Sequence, residues 1–380
     1  MSSKDEEVIK AFVEQRGEEL KQATKATTTV ALEYGPLIKN DATIQFEKLI
    51  KAVLATQTNP SAPPVDFEVE NDKLFATFDK QKYDVSELIK NANMNHLQFN
   101  DKDADSYMAL LKSDKCQYPP ALKGSSSIPT MADYEEQEKK GKHPEALKEL
   151  NLAEKSAINI YTGGFYGVCN KVLRGNVSGL TGCSSQEIGE ILATSAMGCA
   201  GLNKVSESEP HQTFRIEENF DPDFTQKRID AVNSGGEITQ EMGFFSTAFA
   251  PSDDKDTNEM YTELLNSGGG TGVLLSDLRG KYVASIARKP DEFEYLVPPT
   301  QMQWIGHYET ANGSHFFHAK PVQTLTHLTE EQKKSTLLKN QQEPAEKDAP
   351  TISASVDFKK RLSEAKGPEE PNSSNTFGLK

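Results

Sequence analysis

The chain has 380 residues, 36% of them apolar or aromatic, which is enough for a sizeable core and, at about 150 residues per domain, for two domains with tails. Its formal net charge of −15 argues against a nucleic-acid surface, which needs a basic stripe, and favours basic or neutral protein partners. Cys116, Cys169, Cys183 and Cys199 lack the short paired spacing of a zinc site or a dense disulfide framework and read as free thiols, and the scattered histidines, among them His307, His315 and His318, are assigned no metal.

In chain order, apolar residues first recur at helical spacing from Asp5 to about Leu54 (Val8, Ala11, Phe12, Leu20, then Ile44, Phe46, Leu49, Ile50 and Val53), which predicts amphipathic helices. Met1 to Glu7 is charged and has no apolar stretch of signal-peptide length, and no run of about 18 apolar residues predicts a membrane span. Asn59-Pro60-Ser61-Ala62-Pro63-Pro64 ends the helical stretch. Val65 to Val69 and Leu74 to Phe78, separated by Glu70-Asn71-Asp72-Lys73, predict a hairpin, followed by a helix around Val85 to Ala92. Gln117-Tyr118-Pro119-Pro120 and Gly124-Ser125-Ser126-Ser127 mark a boundary.

A helical run from Met131 to about Lys171 then leads to strands separated by Asn233-Ser234-Gly235-Gly236 and Ser267-Gly268-Gly269-Gly270. Helices first and strands later indicate an α+β domain. The glycine run lacks the Lys-Ser/Thr that follows in a phosphate loop, so it reads as a flexible turn. Trp304 and Phe316 read as core residues. Beyond Leu325 the chain is polar, with Glu330-Glu331-Gln332-Lys333-Lys334 and Gly367-Pro368-Glu369-Glu370-Pro371, and reads as largely disordered. The expected division is 1–124, mostly helical with a small hairpin and no assigned role; 129–325, the domain that carries the chemistry; and 326–380, the polar tail.

Three short strings in the second half carry that chemistry. Arg215 ends His211-Gln212-Thr213-Phe214-Arg215, Ser246 and Thr247 follow Phe244-Phe245, and Glu292-Phe293-Glu294 opens the apolar run Tyr295-Leu296-Val297. Arginine presents a planar fork that matches paired phosphate oxygens and stays charged near neutral pH, which suits Arg215 to an anionic dinucleotide. Two residues apart on a strand, Glu292 and Glu294 point the same way if both are extended. A carboxylate at Glu294 lowers the energy of an oxocarbenium-like state, while Glu292, at the mouth of the turn Lys289-Pro290-Asp291, is placed to hold or deprotonate an incoming group.

These residues resemble the arginine-specific branch of the mono-ADP-ribosyltransferases, marked by an Arg, Ser-Thr-Ser, Glu-x-Glu signature. Upstream, Ala157 to Thr162, Tyr166 and Asn170 to Gly175 look like the helical segment that precedes the catalytic arginine strand in that family. Gly280 to Ile286 looks like the strand before the Glu-x-Glu turn, and Leu296-Val297-Pro298-Pro299-Thr300 with Trp304-Ile305 looks like the strand, turn and strand after it. The resemblance covers about Pro129 to Val322 and implies helices followed by a two-sheet mixed β core.

The resemblance further implies NAD as co-substrate, with Arg215, Ser246, Thr247, Tyr161, Asn170 and Glu294 at its site and no metal. Arg215 would hold the phosphates, Ser246 would order the ribose and Glu294, Glu294 would be the catalytic carboxylate, and Glu292 would recognise an acceptor arginine on a protein. Ala248 stands where the family has the third residue of Ser-Thr-Ser. The tail is similar to translocation signals of bacterial type IV secretion effectors, implying a protein secreted without a cleaved leader and acting in a host cytoplasm. Two other readings stay open: an NAD glycohydrolase, with water as acceptor, and a catalytically silent binding effector of the same fold.

Overall fold

The computed structural model describes residues 2–14, 40–113, 116, 128–140, 147–205, 210–218, 222–234, 238–241, 243–249, 255–279, 281–288, 294–297 and 299–322. All of them fall in the unit that runs from Met1 to Asn340. The polar tail lies outside the described residues, as do residues 15–39 and 289–293.

Helix starts are written into the sequence as capping residues. Helix α1 (Ser3–Val13) begins at Ser2, whose hydroxyl accepts from the Asp5 amide while the Asp5 carboxylate accepts from the Ser2 amide. The same reciprocal box opens α4 (Asp101–Lys112) with Asn100 and Asp103, α6 (Leu152–Ile160) with Asn151 and Glu154, and α8 (Ser185–Lys204) with Ser184 and Glu187. Helix α2 (Asp41–Thr58) is capped by Asn40, and α3 (Val85–Asn91) by Asp84. Each box satisfies two amides that the helix itself leaves without partners. Helices α5 (Met131–Lys140) and α7 (Tyr166–Leu173) complete the helical half.

Helix α8 is the centre of the largest core. Its residues from Ile188 to Leu202 are all buried, as expected of a helix covered on every side. Glycine lets its neighbours approach: a Cβ on Gly201 would meet Glu154 Cβ at 2.9 Å, and one on Gly189 would meet Val53 at 3.0 Å. The core joins Phe46, Leu49 and Ile50 of α2 and Tyr107 of α4 to Ile158 of α6, Ile191 of α8, and then to Phe244, Val283, Ile286 and Leu296. Residues from both sides of 124–129 therefore share one interior.

The predicted hairpin is present and gains a third strand. Strands β1 (Asp66–Glu70), β2 (Lys73–Phe78) and β3 (Gln81–Asp84) form an antiparallel meander. Both turns use left-handed residues, Asn71 and Asp72 (φ 50° and 58°) and then Asp79 and Lys80 (φ 50° and 62°). Positive φ at both central residues matches the twist of two-residue hairpins, and Asn and Asp tolerate it best.

The second half supplies α9 (Pro222–Asn233), α10 (Lys255–Ser267) and seven strands: β4 (Pro210–Glu218), β5 (Ile238–Glu241), β6 (Phe245–Phe249), β7 (Gly270–Arg279), β8 (Glu294–Val297), β9 (Thr300–Glu309) and β10 (His315–Val322). They pair in the order β5-β9-β10-β7-β4-β6-β8, with β10 and β7 parallel and the other pairs antiparallel, so the expected α+β class with a mixed sheet is what forms. A ladder of only two residue pairs, Thr213↔Phe249 and Phe214↔Ala248, joins the β5-to-β4 part to β6 and β8.

Alternation along the strands sorts side chains to two covered faces. Val273, Leu275 and Phe317 lie with Trp304 under Ala231 and Val232 of α9, whereas Leu274 and Phe316 lie with Phe214, Leu265 of α10 and Val8, Ile9 and Phe12 of α1. Phe12 stands edge-on to Phe214 and Phe316, with centroids 5.6 and 5.2 Å away. Gly272 makes room for it, since a Cβ there would lie 2.9 Å from the Phe12 ring.

One expected strand does not form among the described residues. In the segment that resembles the strand before the Glu-x-Glu turn, Tyr282 makes a single bridge to Tyr295, and Ala284–Ile286 is a 3-10 turn. The Val283 amide bonds to the Glu294 carbonyl, the Leu296 amide bonds to the Lys281 carbonyl and the Ala287 amide bonds back to Val283, so the chain curls after this one bridge to β8 instead of extending the ladder. That curl buries Val283 and Ile286 in the helical core.

Candidate active site

The site forms where β4 and β6 part. After Phe214↔Ala248 their ladder stops, and at the next residue a side chain replaces the backbone bond: Arg215 Nη1 donates to the Ser246 carbonyl at 3.0 Å. The guanidinium lies over the Phe245 ring, 4.9 Å from its centroid, so one face is covered while the side chain keeps 18% exposure. An edge of a charged planar fork is thus held at the opening of the sheet.

Strand β8 supplies the carboxylate. Its register against β6 is Ser246↔Leu296, Thr247↔Tyr295 and Ala248↔Glu294. Residues 246 and 248 share a face, so Glu294, opposite Ala248, is the diagonal neighbour of Ser246. The Ser246 hydroxyl donates to Glu294 Oε1, and Glu294 is 7% exposed. Thr247 faces the other way, buried, with its hydroxyl donating to the Tyr295 carbonyl at 3.0 Å, which fastens β6 to β8.

Tyr161 and Asn170 approach from the helices. Between α6 and α7 the helix widens into a π turn, Tyr161–Phe165, a departure that recurs at functional sites. The Tyr161 ring tilts against Phe244 at 4.5 Å, and its hydroxyl accepts from Asn170 Nδ2 at 3.0 Å. Asn170 Oδ1 in turn accepts the Phe244 amide at 2.8 Å, two residues before Ser246. Burial pushes the Tyr161 phenol well above its usual range, partly opposed by the charge of Arg215 and reinforced by that of Glu294. Gly243 admits this contact, because a Cβ there would lie 2.9 Å from Arg174 Nε and 3.0 Å from Asn170 Oδ1.

Asn170→Leu is expected to leave the buried Phe244 amide without its acceptor and to cost about 1–3 kcal/mol of stability. Thermal unfolding would register this as a clear fall in midpoint; an unchanged midpoint would mean that the Phe244 amide finds another partner.

The next residue of the π turn holds a different segment. Thr162 Oγ1 accepts the Arg288 amide at 2.8 Å and donates to the Asn159 carbonyl at 3.0 Å, and Asn159 Nδ2 donates to the Ile286 carbonyl at 2.9 Å. These bonds fix the chain up to Arg288. Glu292 lies outside the described residues, so of the seven residues singled out in the sequence, the structure places six. Arg215, Ser246 and Glu294 are brought together by direct bonds, Tyr161 and Asn170 join them through Phe244, and Thr247 is fastened beneath.

Two neighbours escaped the sequence reading. Glu217 Oε1 accepts from Arg215 Nε at 2.6 Å, and Glu217 Oε2 accepts from Arg228 Nη1 at 2.7 Å. Burial works against the charged carboxylate, but the Arg228 and Arg215 guanidiniums overcome it and hold the Glu217 carboxyl far below the usual range. The spacing Arg215-x-Glu217 on a strand is a signal that two side chains share a face. Arg228 offers no such local signal: it reaches the strand from α9, 2% exposed, with Phe224 and Trp304 rings 4.3 and 4.5 Å from its guanidinium carbon.

Among the described residues no group of three or more His, Cys, Asp or Glu side chains gathers as metal ligands would, and no helix is long and apolar enough to cross a membrane.

No protein-family model and no curated protein sequence matches the chain. Solved structures with a similar arrangement include the type III effector XopAI from Xanthomonas axonopodis pv. citri, at 15% identity over 76% of this chain and 96% of that one, with a TM-score of 0.43. The ADP-ribosyltransferase HopU1 of Pseudomonas syringae pv. tomato matches at 17% identity over 52% and 89%, with a TM-score of 0.38. The ADP-ribosyltransferase Vis, solved in complex with agmatine, matches at 14% identity over 54% and 91%, also with a TM-score of 0.38.

Proposed function

We propose that this protein is an NAD-dependent mono-ADP-ribosyltransferase that transfers ADP-ribose to an arginine side chain of another protein. The observation that carries the reading is the bonded set at the mouth of β4, β6 and β8: Arg215 on the Ser246 carbonyl and the Ser246 hydroxyl on Glu294. A fixed cation and a fixed carboxylate side by side suit a substrate that is anionic at its pyrophosphate and becomes cationic at its ribose during reaction. The signature that these residues resemble in sequence is in keeping with the same chemistry.

In this mechanism the bond between ribose C1′ and the nicotinamide nitrogen breaks, and its electron pair leaves with nicotinamide. Glu294 stabilises the resulting oxocarbenium charge, held in place by the Ser246 hydroxyl, while Arg215 anchors the pyrophosphate. A guanidine nitrogen of the acceptor then forms the new bond to C1′ and gives up a proton, for which Glu292 is the proposed base. Tyr161 and Asn170 shape the wall at Phe244. The part around 129–325 carries this site and 1–124 braces it, in keeping with their shared interior. The net charge of −15 favours a basic acceptor surface, and the proposed place of action is a host-cell cytoplasm.

The test is incubation with labelled NAD and either a cell lysate or the small guanidine agmatine, with nicotinamide release followed in parallel. Label on a lysate protein that hydroxylamine removes as expected of an arginine adduct is the predicted result. Glu292→Gln should abolish this transfer while sparing part of the nicotinamide release, because only the acceptor needs that carboxylate. Nicotinamide release without any labelled acceptor would make the protein a glycohydrolase. Neither activity would leave the binding effector as the better reading.

A further inference from the structure

A buried ion pair is weak support for stability, since apolar replacements of similar volume often do as well or better, so a charged chain in an aromatic surrounding calls for another explanation. Arg228 is such a chain: 2% exposed, beside Phe224 and Trp304, with Phe317 5.9 Å away. Its Nη1 bonds to Glu217 Oε2, and the second oxygen of that carboxylate takes the Nε edge of Arg215. Arg215 alone with Glu217 would form a locally neutral pair with little attraction for an anion, and of the further guanidiniums acting on Glu217, Arg228 is bonded to it and acts more strongly than Arg174. The second guanidinium changes that balance.

We propose that Arg228 is a positioning residue that sets the affinity of the site for its dinucleotide. Through Glu217 it holds the Arg215 guanidinium in place, and its charge offsets that of Glu217, so the three side chains together present one net positive charge to the pyrophosphate. This rests on the reading of Arg215 as the pyrophosphate ligand. Glu217 fixes orientation by taking the Nε edge, which leaves the other edge turned to the Ser246 carbonyl and the opening. Arg228 supplies charge from a place the substrate does not reach.

The two roles separate in a charge series read by calorimetric NAD binding and by kcat for nicotinamide release. Arg228→Met removes one positive charge and should weaken NAD binding roughly ten-fold, the scale of one charge about 12 Å away at an effective dielectric of about 20. The double variant Glu217→Gln/Arg228→Met restores the net charge and should bring affinity back to within about three-fold of the parent, as coupled neighbours do. Its kcat should nevertheless fall below that of the parent, because Arg215 has lost the carboxylate that orients it; a purely structural role would not split affinity from kcat in this way.

A folded Arg228→Met with parental affinity, or a double variant that binds as weakly as the single one, would overturn the proposal. Should Arg228→Met fail to fold, Glu217→Gln and the double variant, which differ only at position 228, carry the test, and equal affinities would overturn it. A parent protein that does not bind NAD would instead overturn the function proposed above, and this inference with it.

Discussion

Replacing Glu294 by Gln is expected to lower nicotinamide release roughly 100- to 1,000-fold, the size of loss when one preorganised electrostatic group is taken from a reaction site. The substitution is chosen because it changes charge and little else. A glutamine oxygen at the same place still accepts from the Ser246 hydroxyl, and β8 keeps its register against β6. Unfolding temperature should therefore stay near that of the parent while single-turnover nicotinamide release collapses. NAD affinity should change far less than rate, because in the proposed mechanism the carboxylate acts on charge that appears only as the glycosidic bond breaks. A loss below ten-fold in a folded variant would remove Glu294 from the role proposed for it.

How much of this was legible in the sequence depends on the range of the interactions. Strand-borne features were readable, since Arg215, Ser246 and Glu294 each sit in a short run whose alternation fixes the face of the side chain. The first hairpin was readable from Asn71-Asp72, but its third strand was not, because Asp79-Lys80 puts a lysine at a left-handed position where Asn, Asp or Gly is the usual turn signal. The segment from Gly280 to Ile286 reads as a strand on resemblance alone, whereas burial of Val283 and Ile286 in the helical core curls it. The helical reading of Met131 to Lys171 has no place for the π turn at Tyr161–Phe165, whose Gly163-Gly164 pair marks a break without specifying its form, while contacts with Phe244 and Arg288 hold it.

Long-range partners were the least legible. Asn170 looked like one member of a helical motif, yet its amide acts on the Phe244 backbone, 74 residues away. Arg228 carries no local signal that sets it apart from the other cations of the chain. Its burial follows from the position of α9 over Trp304, a packing choice that no local spacing encodes. The residues proposed to touch substrate lie in short strings legible along the chain, while those that hold them are fixed only by the fold.

Arg215→Lys is expected to lower kcat/KM for NAD by 100-fold or more while keeping the formal charge, a fall of roughly 2.7 kcal/mol or more in transition-state stabilisation. The guanidinium meets three demands at once: its Nε edge bonds Glu217 at 2.6 Å, Nη1 bonds the Ser246 carbonyl at 3.0 Å, and one face lies on Phe245 at 4.9 Å. A lysine ammonium is a single point on a flexible stem and cannot bridge Glu217 and β6 while still offering a paired edge to phosphate oxygens. It would settle against Glu217, the nearest opposite charge, and leave the Ser246 carbonyl and the opening unserved. Because the ladder between β4 and β6 ends at Phe214↔Ala248, loss of the bridge also frees β6 where Ser246 orders Glu294. Both KM and kcat should therefore suffer, unlike in the Glu294 variant, where kcat takes most of the loss. Steady-state nicotinamide release across NAD concentrations separates the two patterns: a lysine variant with parental kcat would mean that charge alone suffices at position 215 and that the fork is not needed.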